Sequence, residues 1–531
     1  MMKRNIIINT GLALAMSVLA SVSCTKDFEY FNTNPDSVQE VDQKSYITTM
    51  QMDAVIPCKD VGANEFQRAC NLMGDAFSGY LSPSQQFNAG SFTCTYDLNG
   101  TDYNDYPYSV AFTNVMPAWL NLKYAYQNKQ ITEDIFAVAE VIKVLCLQRT
   151  TDIYGPIPVS HFGEDSNPYE SQETVYMNLF EDLNAAIEVL KNYSGLESGT
   201  ATPIYKVDAV YAGDYSKWYK LANSQKLRMA MRIRYVLPDK AQKWAEEAVA
   251  AGVMETAEDG ATLKTTGSIA VLNPLNVVWN MYGDTRMGAT IDCYMNGYND
   301  PRLPKYFKTA GIEEGGYHGI RCGIANMMPN DDPRYTIMSA PNIEASDPVV
   351  WFRASEVAFL KAEGALLNWN MGGVKAEDAY KQGITLSFIE NGLSASQAEA
   401  FAASSNKPAA FSDKSGNSTK YNYAAPSKVT PAWDEAEGDE VKLEKIITQK
   451  WIAMFPNGQE AWSEFRRTGY PKVIPIVDNK SNGMISTDVQ VRRMTFPRKE
   501  YANNAAEVQA AVALIGGTDS GAVKLWWDKK N

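Results

Sequence analysis

The sequence predicts a mostly α-helical protein whose mature part, residues 24–531, forms one large domain. Two observations favour this class. Wherever the sequence is regular, apolar residues recur at the three- and four-residue spacing of a helix face. The clearest helical stretches also occur in consecutive pairs separated by short breaks. A chain of 531 residues is long enough to bury a sizeable core.

The first element is an N-terminal leader, residues 1–23. Lys3 and Arg4 precede an uncharged, largely apolar run from Ile6 to Ala20, which is shorter than the roughly 20 residues of a membrane-spanning helix and typical of a secretory signal peptide. The run ends in small residues before Cys24, in the pattern of a bacterial lipobox. We therefore expect cleavage before Cys24 and lipidation of its thiol, with plain secretion as the alternative.

Residues 132–252 are predicted to hold four helices in two pairs. Thr132 is expected to cap the first helix, and Ser171 and Asp214 to begin the second and third, because these residue types favour the N-cap position. Prolines break the chain after the first helix. The fourth helix begins at Pro238 and closes at Gly252.

Three arginines gather near the end of the third helix: Arg228, Arg232 and Arg234. The C-terminal end of a helix carries a partial negative charge. We expect that charge to stabilise the guanidinium groups.

A second helical hairpin is predicted over residues 355–390. Its two helices are joined by Met371-Gly372-Gly373, and Gly364 and Gly383 are among the small residues that would let them approach closely. Hairpins of this length resemble tetratricopeptide units. The alternative is an irregular helical domain without true repeats.

Three long segments lack any period: Gly79–Pro117, Thr262–Pro304 and Lys407–Gly438. Loops of this length in a compact protein are usually functional or disordered. The first two are rich in aromatic residues, which favours function. The third is rich in Ser, Asn, Lys and Pro, which favours a flexible surface insertion.

Composition excludes several classes of function. A net charge of −13 opposes binding to nucleic acid or to anionic lipid. The two histidines, His161 and His318, lie outside any zinc-protease pattern, and there is no Cys-x-x-Cys pair. We expect no cofactor and no metal site, and we expect the six cysteines after Cys24 to be buried free thiols.

Several motifs, in this order, resemble the SusD/RagB family of outer-membrane nutrient-binding lipoproteins, in its SusD-like branch. They are Phe31-Asn32-Thr33-Asn34-Pro35-Asp36, Thr151-Asp152-Ile153-Tyr154-Gly155-Pro156, Trp218-Tyr219-Lys220-Leu221-Ala222-Asn223-Ser224, Asn299-Asp300-Pro301-Arg302-Leu303, Trp462-Ser463-Glu464-Phe465-Arg466-Arg467 and Lys524-Leu525-Trp526-Trp527. We expect most of these motifs to have structural roles. Arg302 should pair with a carboxylate or with carbonyls, and Trp526 and Trp527 should pack the last segment onto the body of the protein.

The resemblance implies a mostly helical SusD-like fold in which four tetratricopeptide-like pairs support an irregular, loop-rich half. It also implies a lipoprotein held in the outer membrane by Cys24 and facing the cell exterior. Such a protein captures oligosaccharide and delivers it to a SusC-like TonB-dependent transporter, without chemistry of its own.

A sugar-binding surface needs flat aromatic faces beside planar polar groups, and the first two aromatic segments supply both. We predict stacking by Phe87, Tyr96, Tyr103, Trp279 and Tyr282, with Asp97, Asn104 and Arg286 as polar contacts.

Three other functions stay open. A peptide receptor of the same fold would use the same residue types. A surface glycosidase needs only two carboxylates about 5 to 9.5 Å apart, and 62 acidic residues supply many pairs. A scaffold that docks on the transporter alone would need no small ligand.

Overall fold

The computed structural model describes residues 42–196, 199–267, 269–327, 333–416 and 419–530. The mostly helical class is confirmed. The leader, Cys24 and the motif at residues 31–36 lie outside the described residues.

The helices, numbered in chain order, are α1 Ser45–Gln51, α2 Asn64–Phe66, α3 Tyr106–Ser109, α4 Met116–Gln127, α5 Glu133–Tyr154, α6 Gln172–Tyr193, α7 Tyr215–Arg232, α8 Pro238–Ala251, α9 Pro274–Asn276, α10 Ala289–Tyr298, α11 Leu303–Tyr306, α12 Pro333–Thr336, α13 Ala354–Leu366, α14 Ala376–Glu390, α15 Ala395–Ala402, α16 Asp439–Ala453, α17 Gly458–Thr468, α18 Arg498–Asn503 and α19 Ala505–Leu514. Among the described residues, three segments are π-helical, Gln67–Asp75, Val110–Val115 and Val277–Met281, and short 3₁₀ turns cover Asn88–Gly90, Thr93–Thr95, Tyr103–Asp105, Gly199–Ala201 and Ala257–Asp259. The described part of the chain also holds four short strands, β1 Leu81–Pro83, β2 Ala261–Leu263, β3 Thr285–Met287 and β4 Val349–Phe352, which pair as β1 with β3 and β2 with β4, both antiparallel.

Consecutive helices pack as pairs where the sequence predicts them: α5 on α6, α7 on α8, and α13 on α14. Ser171 and Asp214 cap α6 and α7, each accepting a backbone N–H bond of 3.1 Å. Thr132 occupies the N-cap position of α5, but its side chain makes no capping bond, so that part of the prediction is wrong. The tetratricopeptide-like class of these pairs stays a prediction.

Close approach between α13 and α14 depends on glycine, as the sequence indicates. A Cβ atom at Gly383 would lie 2.7 Å from the Phe359 ring, and real Cβ contacts are not that short. The missing side chain therefore lets the two helices pack in register.

Arg228 and Arg232 of α7, and Arg234 two residues beyond its end, are held by distant carboxylates. Arg228 pairs with Glu356 at 2.7 Å, Arg232 pairs with Glu464 at 2.9 Å, and Arg234 pairs with Glu363 at 2.8 Å. The helix dipole is therefore not their main partner, and the expectation from the sequence is corrected. These ion pairs join α7 to α13 and α17 inside the core.

The C-terminal segment closes on the helical body. Trp527 is fully buried, and its Nε1 donates to Asp152 Oδ1 at 2.7 Å.

Arg302 forms the predicted carboxylate pair, with Asp300 at 2.7 Å. In the predicted surface insertion at 407–438, Phe411, Tyr421 and Val429 are buried and attach it to the body, and most of its other described residues are exposed or part-exposed. Its flexibility stays a prediction.

Candidate functional site

The two aromatic loops are brought together by the β1–β3 ribbon. Ser82 pairs with Arg286 across it, and the pairing continues where Ser84 N donates to Asp284 O at 2.9 Å. Residues that follow β1 therefore lie beside residues that precede β3. The sequence predicts that Gly79–Pro117 and Thr262–Pro304 are irregular. The structure places helices within both segments, among them α3 and α10, and brings the loops next to β1 and β3 into one region.

Trp279 lies on the π-helical segment before β3 and is half-buried. Its Nε1 donates to Ile343 O at 2.9 Å, and Lys308 Nζ lies 4.5 Å from the centroid of its ring system. The indole is thus fixed in direction, and the Lys308 ammonium covers one face.

Tyr282 is the second part-exposed ring of this loop. Its hydroxyl donates to Gly62 O, and its own carbonyl accepts from Gln85 Nε2 at 3.0 Å. Met281 beside it is 72% exposed. The loop therefore presents an aromatic and an apolar group next to the amide of Gln85.

Tyr103 and Phe87 come from the first loop, and both pack partly exposed on one small cluster around Phe92. The ring centroids of Phe87 and Phe92 are 5.5 Å apart. The Arg68 guanidinium lies 5.8 Å from the Tyr103 ring centroid. Burial raises the pKa of Tyr103, and the Arg68 charge lowers it. Gln67, the neighbour of Arg68 in the chain, donates from Nε2 to Asp284 Oδ2 at 2.6 Å, which links the segment that holds Arg68 to the second loop.

We call Phe87, Tyr103, Trp279 and Tyr282, with Arg68 and Gln85, the aromatic surface. Its faces are apolar and its edges carry amide, hydroxyl and guanidinium groups. That combination suits the C–H faces and hydroxyl edges of a sugar ring. Within the described residues, no group of three or more His, Cys, Asp or Glu side chains could hold a metal ion.

Two predicted contacts are internal. Tyr96 is 2% exposed and Asn104 is fully buried. Tyr96 adopts a left-handed backbone, φ 63°, and its ring packs edge-on against Phe77. Asn104 Nδ2 donates to Thr495 Oγ1 at 3.0 Å. Neither offers a ligand a surface, and we remove both from the candidate site.

Arg286 also has a structural role. It is 8% exposed and donates to Thr336 O at 2.8 Å and to Trp279 O at 3.1 Å. Burial lowers the pKa of Arg286 to about 10, and Asp284 opposes that shift. The guanidinium therefore positions Trp279 and is not itself a ligand contact.

Asp97 is half-buried and accepts a hydrogen bond from Ser91 Oγ. It stabilises the turn that carries Phe92 and stays a predicted polar contact. Arg68 was not identified from the sequence, because a single arginine in a helical run carries no signal of its own.

Comparison with known proteins gives the family. A family model described as SusD-like, Susd and RagB outer membrane lipoprotein, matches residues 30–528. The chain belongs to this family and is an outer-membrane lipoprotein. No helix in the described part of the chain is long and apolar enough to cross a membrane.

Solved structures agree in fold. A SusD homolog from Bacteroides ovatus ATCC 8483 is 39% identical, with 93% of this chain and 100% of that chain covered and a TM-score of 0.84. A SusD homolog from Bacteroides thetaiotaomicron VPI-5482 is 37% identical over the same shares, with a TM-score of 0.83. A chitin-binding SusD homolog from Flavobacterium johnsoniae is 35% identical over 92% and 99%, with a TM-score of 0.85. No curated protein matches the chain.

Proposed function

We propose that this lipoprotein captures oligosaccharide at the outer face of the outer membrane and passes it, chemically unaltered, to a SusC-like TonB-dependent transporter. Family membership supports the role, and the chitin-binding homolog from Flavobacterium johnsoniae supports a glycan ligand.

The observation that carries the proposal is the β1–β3 pairing. It joins two loops that are far apart in sequence and leaves four aromatic rings part-exposed beside polar groups. Stacking of pyranose faces on Phe87, Tyr103, Trp279 and Tyr282, with hydrogen bonds from Gln85 and Arg68, is the arrangement we propose.

A panel of glycans and peptides, titrated calorimetrically against the mature protein, tests the ligand class. Chitin oligosaccharides belong in the panel because the homolog from Flavobacterium johnsoniae binds chitin. We expect saturable binding of at least one neutral glycan and of no peptide. Peptide binding alone would replace the glycan proposal with a peptide receptor of the same fold.

The same incubations test the absence of catalysis. We expect no new reducing ends after prolonged incubation with each bound glycan. Their appearance, abolished by substitution of one carboxylate pair, would identify a glycosidase instead.

Transfer to a transporter needs a separate test in cells. An affinity-tagged chain solubilised from outer membranes should retain a TonB-dependent barrel, and protease added to whole cells should cleave the chain. A chain that stays protected in intact cells and purifies alone would contradict the proposed orientation and partner.

A further inference from the structure

Two neighbouring cavities near Trp279 share Arg353 as a lining residue. The first has a volume of about 330 Å³ and the second about 310 Å³, and both are lined by Thr262, Arg353 and Glu390. Ile343, whose carbonyl holds the Trp279 indole, lines the first. Each volume lies at the lower end of the range for small-molecule sites, about 300–1,000 Å³.

Among the described residues around these cavities, Arg353 stands out because its guanidinium group lacks hydrogen-bond partners. It lies between β4 and α13, and its side chain is only 16% exposed. Within the described residues its guanidinium makes no hydrogen bond, its Nε is buried without a partner, and its nearest carboxylate oxygen, Glu390 Oε2, is 3.9 Å from Nη1. Buried guanidinium groups are normally paired and hydrogen-bonded.

Glu390 does not supply the missing partner, because its oxygens are already engaged. Oε1 accepts from Ser355 N at 3.0 Å, and Oε2 accepts from Ser355 Oγ. The carboxylate thus stabilises the N-terminal end of α13.

The surrounding charge favours an anion. Lys305 lines the first cavity, and Lys217 and Lys264 line the second. In the part of the chain that the structure describes, none of the three lysines forms an ion pair. Glu258 also lines the second cavity, so the two linings together hold four cationic side chains and three carboxylates, Glu258, Asp347 and Glu390. In a chain of net charge −13, this is a local excess of one positive charge.

We propose that the paired cavities bind a small carboxylate-bearing molecule, whose carboxylate receives two parallel hydrogen bonds from Arg353. The planar guanidinium matches a carboxylate in this way. Glu390 and Asp347 also line the first cavity, so a singly charged group fits better than a dianion. The apolar side chains of Ile56, Leu275 and Phe455, which also line the first cavity, would contact the body of the ligand.

Calorimetric titration of the full mature chain in detergent with D-glucuronate, D-glucose and inorganic sulfate tests this assignment. We expect saturable binding of glucuronate, no binding of glucose, and sulfate no tighter than glucuronate. Arg353→Gln should weaken glucuronate binding at least tenfold. Lys499→Gln, which removes an exposed cation that lines neither cavity, should leave it unchanged.

The double variant Lys217→Gln with Lys264→Gln provides an independent measurement should Arg353→Gln fail to fold, since both lysines lie at the rim and are not buried. It should weaken glucuronate binding several-fold. The proposal is overturned if glucuronate does not bind, if sulfate binds and glucuronate does not, or if the variants bind as the unmodified chain does. The carboxylate site is independent of the proposed glycan site. A chain that binds glucuronate in the paired cavities but binds no neutral glycan would support the carboxylate site and contradict the glycan proposal.

Discussion

Arg467 and Glu363 form a two-pronged ion pair inside the protein, with Nη1 to Oε1 at 2.6 Å and Nη2 to Oε2 at 2.7 Å. Both side chains are at most 1% exposed. Burial opposes the charge on Arg467, yet the carboxylates of Glu363 and Glu464 raise its pKa well above the usual value. The pair fixes α17 on α13.

Glu363→Gln should destabilise the protein by about 3–5 kcal/mol. It removes the carboxylate that pairs with buried Arg234 and leaves buried Arg467 with Glu464 as its remaining counter-charge. Urea unfolding measures the loss. Glu377→Gln is the matched control, since it breaks the exposed pair with Lys381 and should cost less than about 0.5 kcal/mol. Equal losses in the two variants would contradict the assigned role of the buried pair.

Gly383→Ala should cost about 1–3 kcal/mol, because the added methyl group would overlap the Phe359 ring and force α13 and α14 apart. Gly195→Ala serves as control, since a Cβ at that exposed turn meets nothing within 4 Å. Its unfolding free energy should change by no more than about 0.5 kcal/mol. A neutral Gly383→Ala would show that the helices can separate freely.

Asp75→Asn should change how stability depends on pH. Burial raises the pKa of Asp75 to about 7, from an ordinary value of 3.8. Between these values the folded state binds more protons than the unfolded state, so the free energy of unfolding falls as pH rises, by up to about 1.4 kcal/mol per pH unit. The variant lacks this titration and should gain stability relative to the unmodified chain between pH 5 and pH 8.

Urea unfolding at pH 5, 6, 7 and 8 measures the difference between the two profiles. Asp488→Asn, at an exposed position, should follow the profile of the unmodified chain. Parallel profiles for Asp75→Asn and the unmodified chain would show that this carboxyl does not titrate in the window.

Trp279→Ala should weaken binding of the cognate glycan about tenfold or more, which corresponds to about 1.4 kcal/mol. Lys308→Ala should leave affinity unchanged or raise it, because it uncovers one indole face. Tyr96→Phe should leave affinity unchanged, since that ring is internal. Calorimetry on all three variants checks the set, and full affinity in Trp279→Ala would remove the indole from the site.

Local patterns predict local structure in this chain. Ser171 and Asp214 mark the starts of α6 and α7 because a cap needs only the next three residues. The carboxylates that pair with Arg228 and Arg232 lie far away in sequence: Glu356 is 128 positions from Arg228, and Glu460 is 228 positions from Arg232. Nothing in the spacing around an arginine identifies such a partner.

The candidate site shows the same limit. Its loops are recognisable from their aromatic content, but a loop has no period that separates inward from outward side chains. Tyr96 turns inward at a left-handed residue, and Tyr103, seven positions later, stays part-exposed. The pairing of β1 with β3, which joins the loops, involves three residues on each strand and is too short for the sequence to indicate.

The contact between Trp527 and Asp152 joins residues 375 positions apart. An exported chain emerges with its N-terminal end first, so α5 leaves the secretion channel long before the tryptophan that covers its end. Until then Asp152 and the arginines of α7 have only part of their native surroundings. Completion of the core therefore has to wait for synthesis and export of the last residues.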